Sequence, residues 1–137
     1  MQEPDRWATQ AVFWEKVAET VGHSPAVFAY DLMNEPVLGD TSTWTPGAAF
    51  GGFHFVQNLT RTPNGRSFTE IIEEWSQLMI SAIRMHDTIT PITIGLIACG
   101  EIKTWSTDLD FISIHAYPRP DSLPPGFCSM RLSDLIY

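Results

Sequence analysis

Between Ala26 and Pro36 the chain reads Ala-Val-Phe-Ala-Tyr-Asp-Leu-Met-Asn-Glu-Pro. This is a short apolar run, rich in β-forming residues, that stops on an amide and a carboxylate. Runs of this length and composition pack as buried strands. Asn34 and Pro36 suit a strand end, but Glu35 does not. A carboxylate at the open end of a buried strand is costly to desolvate and available to a ligand. The run therefore predicts a strand over Ala26–Asn34 that delivers a candidate catalytic acid, Glu35, at its tip.

The elements around it follow from periodicity and punctuation. Trp7, Ala11, Trp14, Ala18 and Val21 form one stripe at helical spacing, predicting a helix from about Arg6 to Val21. Asp5 is its expected cap, and Gly22 with Pro25 closes it. Ser67-Phe-Thr-Glu70 has the capping-box pattern and opens a second helix running to about Met85. Ile71, Trp75, Leu78, Ala82 and Met85 are its expected apolar stripe, widened by Ile72, Met79 and Ile83. Two further strands are predicted, Ile92–Ile97 and Asp110–Tyr117. Near-continuous apolar strands alternating with helices argue for parallel β/α units rather than a sandwich. Val37 to Arg66, rich in Gly, Thr, Pro and aromatic residues, reads as a long loop of the kind that carries function or small elements. Residues 1–118 read as the structured part and 119–137, with Pro120, Pro124 and Pro125, as an irregular tail.

Charge and composition exclude several classes of function. Sixteen acidic and 8 basic residues give a net charge of −8. With no Lys/Arg cluster, neither nucleic acid nor an anionic membrane is an expected partner. No apolar run reaches the roughly 20 residues of a membrane span. Met1–Arg6 lacks the basic-then-apolar pattern of a signal peptide. A neutral ligand such as a sugar fits this balance. Cys99 and Cys128 lack CxxC spacing and read as two free thiols, with one disulfide as the alternative. His23, His54, His86 and His115 lie at unrelated spacings, so no metal or other cofactor is expected.

Strand parity sorts the last predicted strand. Ser113, His115 and Tyr117 share one face while Ile112, Ile114 and Ala116 share the other. The polar face places an imidazole and a phenol at the C-terminal end of the strand, the end at which the first strand presents Asn34 and Glu35. Active sites of parallel β/α folds are built at that end. Singly, each residue has an ordinary reading: a solvated Glu, a core His, a packing Tyr, a turn Asn. Together at matching strand ends they form a candidate site.

Tyr30-Asp-Leu-Met-Asn-Glu-Pro36 resembles the Asn-Glu-Pro signature of glycoside hydrolase family 5, the cellulase family of the retaining (β/α)8-barrel glycosidases. Phe111-Ile-Ser-Ile-His-Ala-Tyr117 resembles that family's sixth-strand motif. The resemblance covers roughly Trp7 to Pro118, from the third barrel helix through the sixth strand. It implies an α/β fold, a partial TIM (β/α)8 barrel with parallel strands and flanking helices. It implies hydrolysis of β-linked oligo- or polysaccharides, cellulase- or mannanase-like, with Glu35 as general acid/base and Asn34 bonding the sugar 2-hydroxyl. His115 would shape the substrate site and Tyr117 would orient the nucleophile. Trp44 and Phe53, with Phe50 and Phe55, are candidates for a sugar-stacking platform, or equally for a loop-stabilising cluster.

The same resemblance implies what is lacking. Retaining glycosidases use a second carboxylate about 5 Å from the first, which the family carries on its seventh strand. Glu101, within Cys99-Gly-Glu-Ile-Lys103, lacks the expected motif and is not assigned that role. A complete barrel takes about 250 residues against 137 here. The expectation is therefore a barrel fragment, inactive alone, with edges open to self-association. The rival readings are a non-catalytic carbohydrate-binding remnant and a plain three-strand α/β domain. The family implies secretion, and Asn58-Leu59-Thr60 is a glycosylation sequon relevant to a secreting eukaryote.

Overall fold

A computed structural model of the chain describes residues 3–36, 59–60, 63–96, 105 and 108–115. Helix α1 (Glu3–Val21) is followed by strand β1 (Tyr30–Asn34), helix α2 (Phe68–Arg84), strand β2 (Ile92–Leu96) and strand β3 (Ser113–Ile114). The strands form one parallel sheet in the order β1-β2-β3. A helix lies between the paired strands β1 and β2, which makes a βαβ unit. Among the described residues the sheet is unclosed and flanked by helices, the α/β arrangement of part of a (β/α)8 barrel.

Helix α1 begins at Glu3, earlier than its expected start, so Asp5 lies inside the helix and not at its cap. Pro4 is compatible with this, because first-turn N–H groups have no intrahelical partner to lose. Its apolar stripe turns inward as expected: Trp7, Ala11 and Ala18 are buried, and Trp14, Val17 and Val21 pack against the core. The buried indoles of Trp7 and Trp75 each keep a polar partner. Trp7 Nε1 donates to Leu59 O at 2.8 Å, and Trp75 Nε1 donates to Gln10 Oε1 at 2.8 Å. Just past α1, a Cβ on Gly22 would lie 2.6 Å from Ala18 O and 2.9 Å from Asp87 Cβ. Glycine therefore permits the close approach of α1 to the turn after α2.

The predicted capping box of α2 is formed. Ser67 Oγ accepts from the Glu70 N–H at 3.3 Å, and Glu70 Oε2 accepts from the Ser67 N–H at 2.7 Å. Ile71, Ile72, Trp75, Met79 and Ile83 are buried with hardly any exposed surface. Leu78 and Met85, expected on the stripe, are exposed. At 3.6 residues per turn they fall on the flank of a face centred nearer Trp75 and Met79.

Among the described residues, β1 and β3 begin later than expected. β1 begins at Tyr30 and not Ala26, because its partner β2 begins only at Ile92, the residue paired with Tyr30. β2 is buried along its whole length, with Ile92, Ile94 and Leu96 in the core. β3 begins at Ser113 and not Asp110, while Ala116 and Tyr117 of the expected strand lie outside the described residues. Asp110 instead serves as a clamp below the strand: Asp110 Oδ2 accepts from the Ile92 N–H at 2.7 Å and from Arg84 Nη2 at 2.9 Å. Arg84 Nη1 also donates to Thr90 O at 2.7 Å.

The same N-terminal end of the sheet holds a buried polar lock. Tyr30 Oη donates to Asp87 Oδ2 at 2.8 Å, and the Ile89 and Thr90 N–H groups each donate to Asp87 Oδ1 at 2.9 Å. Burial alone would push the Asp87 carboxyl up. Hydrogen bonds from Thr90, Ile89 and Tyr30 outweigh it and hold the group well below the usual aspartate range. Burial, reinforced by the Asp87 bond, pushes the Tyr30 phenol up to about 12. Because the Asp87 value is depressed in the folded state, its stabilisation is present above the ordinary value of 3.8 and is lost as pH falls below it. Asp87→Asn is therefore expected to flatten the acid limb of a stability-versus-pH curve. Tyr30→Phe, removing one donor to a buried carboxylate, should cost about 1.5–3 kcal/mol in urea unfolding, with the slope unchanged.

Candidate active site

Pairing to β2 continues beyond the ends of β1 and β3. The Glu35 N–H donates to Gly95 O at 2.7 Å, and the His115 N–H donates to Leu96 O at 2.8 Å. Two consecutive residues of the central strand thus hold the backbones of Glu35 and His115 from opposite sides. The β1–β2 register contains a bulge: Asp31 pairs with Thr93, whereas Asn34 pairs with Gly95. Three steps along β1 therefore match two along β2, which re-aims the end of β1. Within the bulge the Asp31 carboxylate accepts the Gly95 N–H at 3.1 Å.

Glu35 adopts φ 47°, in the left-handed region. That conformation costs an L-residue roughly 1–2 kcal/mol and occurs where surrounding contacts over-determine it. Such contacts here include its N–H bond to Gly95 and the side-chain bond to His115, whose Nδ1 lies 2.9 Å from Glu35 Oε1. The Glu35 side chain is 18% exposed and that of His115 26%. The pair is thus sheltered from bulk water while remaining reachable. An ionised carboxylate only accepts hydrogen bonds, so opposite ionised Glu35 the His115 proton sits on Nδ1.

Of the residues singled out in the sequence, Glu35 and His115 come into direct contact across 80 positions of chain. Asn34 stands exposed beside them at the same strand end, in register with Gly95. Tyr117, Trp44, Phe50, Phe53 and Phe55 lie outside the described residues, as do Glu101, Cys99, Cys128 and Asn58. Leu59 and Thr60, the rest of the sequon, are buried. Two participants escaped the sequence reading, Asp31 and Gly95. Each left a trace: an Asp inside an apolar strand, and a lone Gly within Ile92-Thr-Ile-Gly-Leu96, a pattern that marks bulges and close approaches.

If Glu35 φ is strained for the sake of the side chain it presents, removing that side chain should not destabilise the fold. Glu35→Gly is expected to be neutral or stabilising by up to about 1 kcal/mol, after the entropy cost of glycine is subtracted. Glu35→Val, β-branched at the same φ, should lose more than about 1 kcal/mol. Thermal unfolding of both variants checks the contrast.

No curated protein and no solved structure matches the chain. A family model described as cellulase (glycosyl hydrolase family 5) matches residues 3–124, a span that includes both strand-end motifs and every described element. The signature at Asn34-Glu35-Pro36, the parallel sheet and the extent of that match converge: the chain belongs to glycosyl hydrolase family 5, the cellulase family.

Proposed function

We propose that this chain carries the acid/base half of a retaining glycosidase site for β-linked glucans or mannans, with Glu35 as the acid/base. The observation that carries the reading is the 2.9 Å contact between His115 Nδ1 and Glu35 Oε1 at the C-terminal end of a parallel sheet. β1, β2 and β3 would correspond to the fourth, fifth and sixth barrel strands. With Oε1 held by the imidazole, the Glu35 carboxyl protonates the glycosidic oxygen of the leaving group and afterwards takes a proton from the incoming water. As Glu35 gives up its proton, the bond from His115 becomes charge-assisted and strengthens. The imidazole thus keeps the carboxylate in place for the second step.

Asn34, exposed beside the pair, bonds the sugar 2-hydroxyl; Tyr117 orients the nucleophile; Trp44 and Phe53 offer stacking faces. The nucleophile has no counterpart among the residues that resemble the family's strands. We therefore propose that the 137-residue chain binds glycan without turning it over, and that its sheet edges favour self-association.

Titration with β-linked gluco- and manno-oligosaccharides, followed by calorimetry and NMR, tests this. Resonances of Asn34, Glu35 and His115 should shift together. Asn34→Ala should weaken binding about 5- to 10-fold, the loss of one hydrogen bond at about 1 kcal/mol. An aryl β-glycoside should not be hydrolysed. Rapid hydrolysis abolished by Glu35→Gln would show that a complete catalytic pair is present after all.

A further inference from the structure

We infer that Gly95 and Asp31 are positioning residues for the Glu35–His115 pair: a missing side chain forms the floor on which the imidazole lies, and a carboxylate anchors that floor. The functional weight of the inference rests on the acid/base reading of Glu35, whereas its geometry stands on the fold alone.

Gly95 sits mid-strand among Ile92, Thr93, Ile94 and Leu96, where glycine weakens a strand and contributes no packing. Its φ lies outside the left-handed region, so no backbone requirement calls for glycine there. Space does. A Cβ at this position would lie 2.7 Å from both Cε1 and Nε2 of His115, far inside the 3.5–4.0 Å of an ordinary carbon contact. The imidazole therefore rests directly against the β2 backbone, and only from there does Nδ1 reach Glu35 at 2.9 Å.

Asp31 adjoins Gly95 as well. Its Oδ2 lies 3.4 Å from the point where that Cβ would stand, while its Oδ1 accepts the Gly95 N–H at 3.1 Å. The bulge leaves this N–H to a side chain, and Asp31 satisfies it, holding the floor in place. The ring thus lies over Gly95 with Glu35 at Nδ1, and Asp31 anchors the backbone beneath it.

The atoms that a new methyl would strike belong to the mobile end of a side chain. Gly95→Ala should therefore spare the sheet and displace the ring. The experiment is ¹⁵N NMR of the His115 imidazole in the 137-residue chain, with and without Glu35→Gln. In the parent, Glu35→Gln should change the Nδ1 and Nε2 shifts, because Glu35 touches the ring. In Gly95→Ala, with backbone amide spectra and urea midpoint preserved, that response should vanish. A response as large as in the parent overturns the inference, and so does a variant whose sheet is disrupted. Asp31→Asn, which retains an oxygen acceptor for the Gly95 N–H, should keep the response, and Asp31→Leu should lose it. Equal behaviour of the two would remove Asp31 from the proposal. Loss of oligosaccharide binding alongside an intact His115 response would count against the glycosidase reading alone, so the two failures are distinguishable.

Discussion

The site depends on the backbone pairing of one buried strand. β2 is the central strand of the described sheet, and its Gly95 and Leu96 carbonyls accept the N–H groups of Glu35 and His115. These bonds fix two residues distant in sequence relative to a common frame, before their side chains meet. Parallel strands present equivalent ends on one side of the sheet, so a residue leaving β1 and a residue leaving β3 emerge together above β2. A strand less deeply buried would leave the two backbones free to drift. The side-chain bond across 2.9 Å would then have to bear the full entropy of closing an 80-residue separation.

The two ends of the sheet are built for different purposes. At the N-terminal end, Tyr30, Asp87, Arg84 and Asp110 tie the turns after α2 to the strands through hydrogen bonds, of which those to Asp87 satisfy a buried charge. Such a network contributes rigidity provided every member is paired. At the C-terminal end the design accepts cost. Glu35 occupies the left-handed region, the register bulges, and a glycine interrupts an otherwise aliphatic strand. Departures of this kind concentrate where side chains must be aimed. Here Glu35 and Gly95 both adjoin one imidazole, and the bulge lies beside Gly95.

The family assignment gains physical content from these details. Glycosyl hydrolase family 5 describes a reaction class; the structure supplies an imidazole on one carboxylate oxygen and a sheltered setting for both. On the proposed acid/base reading of Glu35, the donor needs a fixed orientation through both steps, and a hydrogen bond to His115 is suited to hold it.

Much of the architecture was legible in the chain. The Trp7-to-Val21 stripe, the Ser67–Glu70 capping box and the apolar run ending in Asn34-Glu35 are local patterns. Local patterns report helices, caps and buried strands because each depends on residues a few positions apart. The starts of β1 and β3 differ from the expectation, since a strand extends only as far as its partner, and the partner is not local. Leu78 and Met85 were misplaced for a similar reason: periodicity gives a face, but the neighbouring element decides where that face is centred. By itself, then, the sequence determined the helices, the βαβ order and the candidacy of Glu35, Asn34 and His115. Only the tertiary structure decided that Glu35 takes a left-handed φ, that His115 lies on Gly95, and that Asp31 satisfies an N–H exposed by a bulge. Those facts arise from the register between strands joined by long connections, and register is set by packing of the assembled sheet.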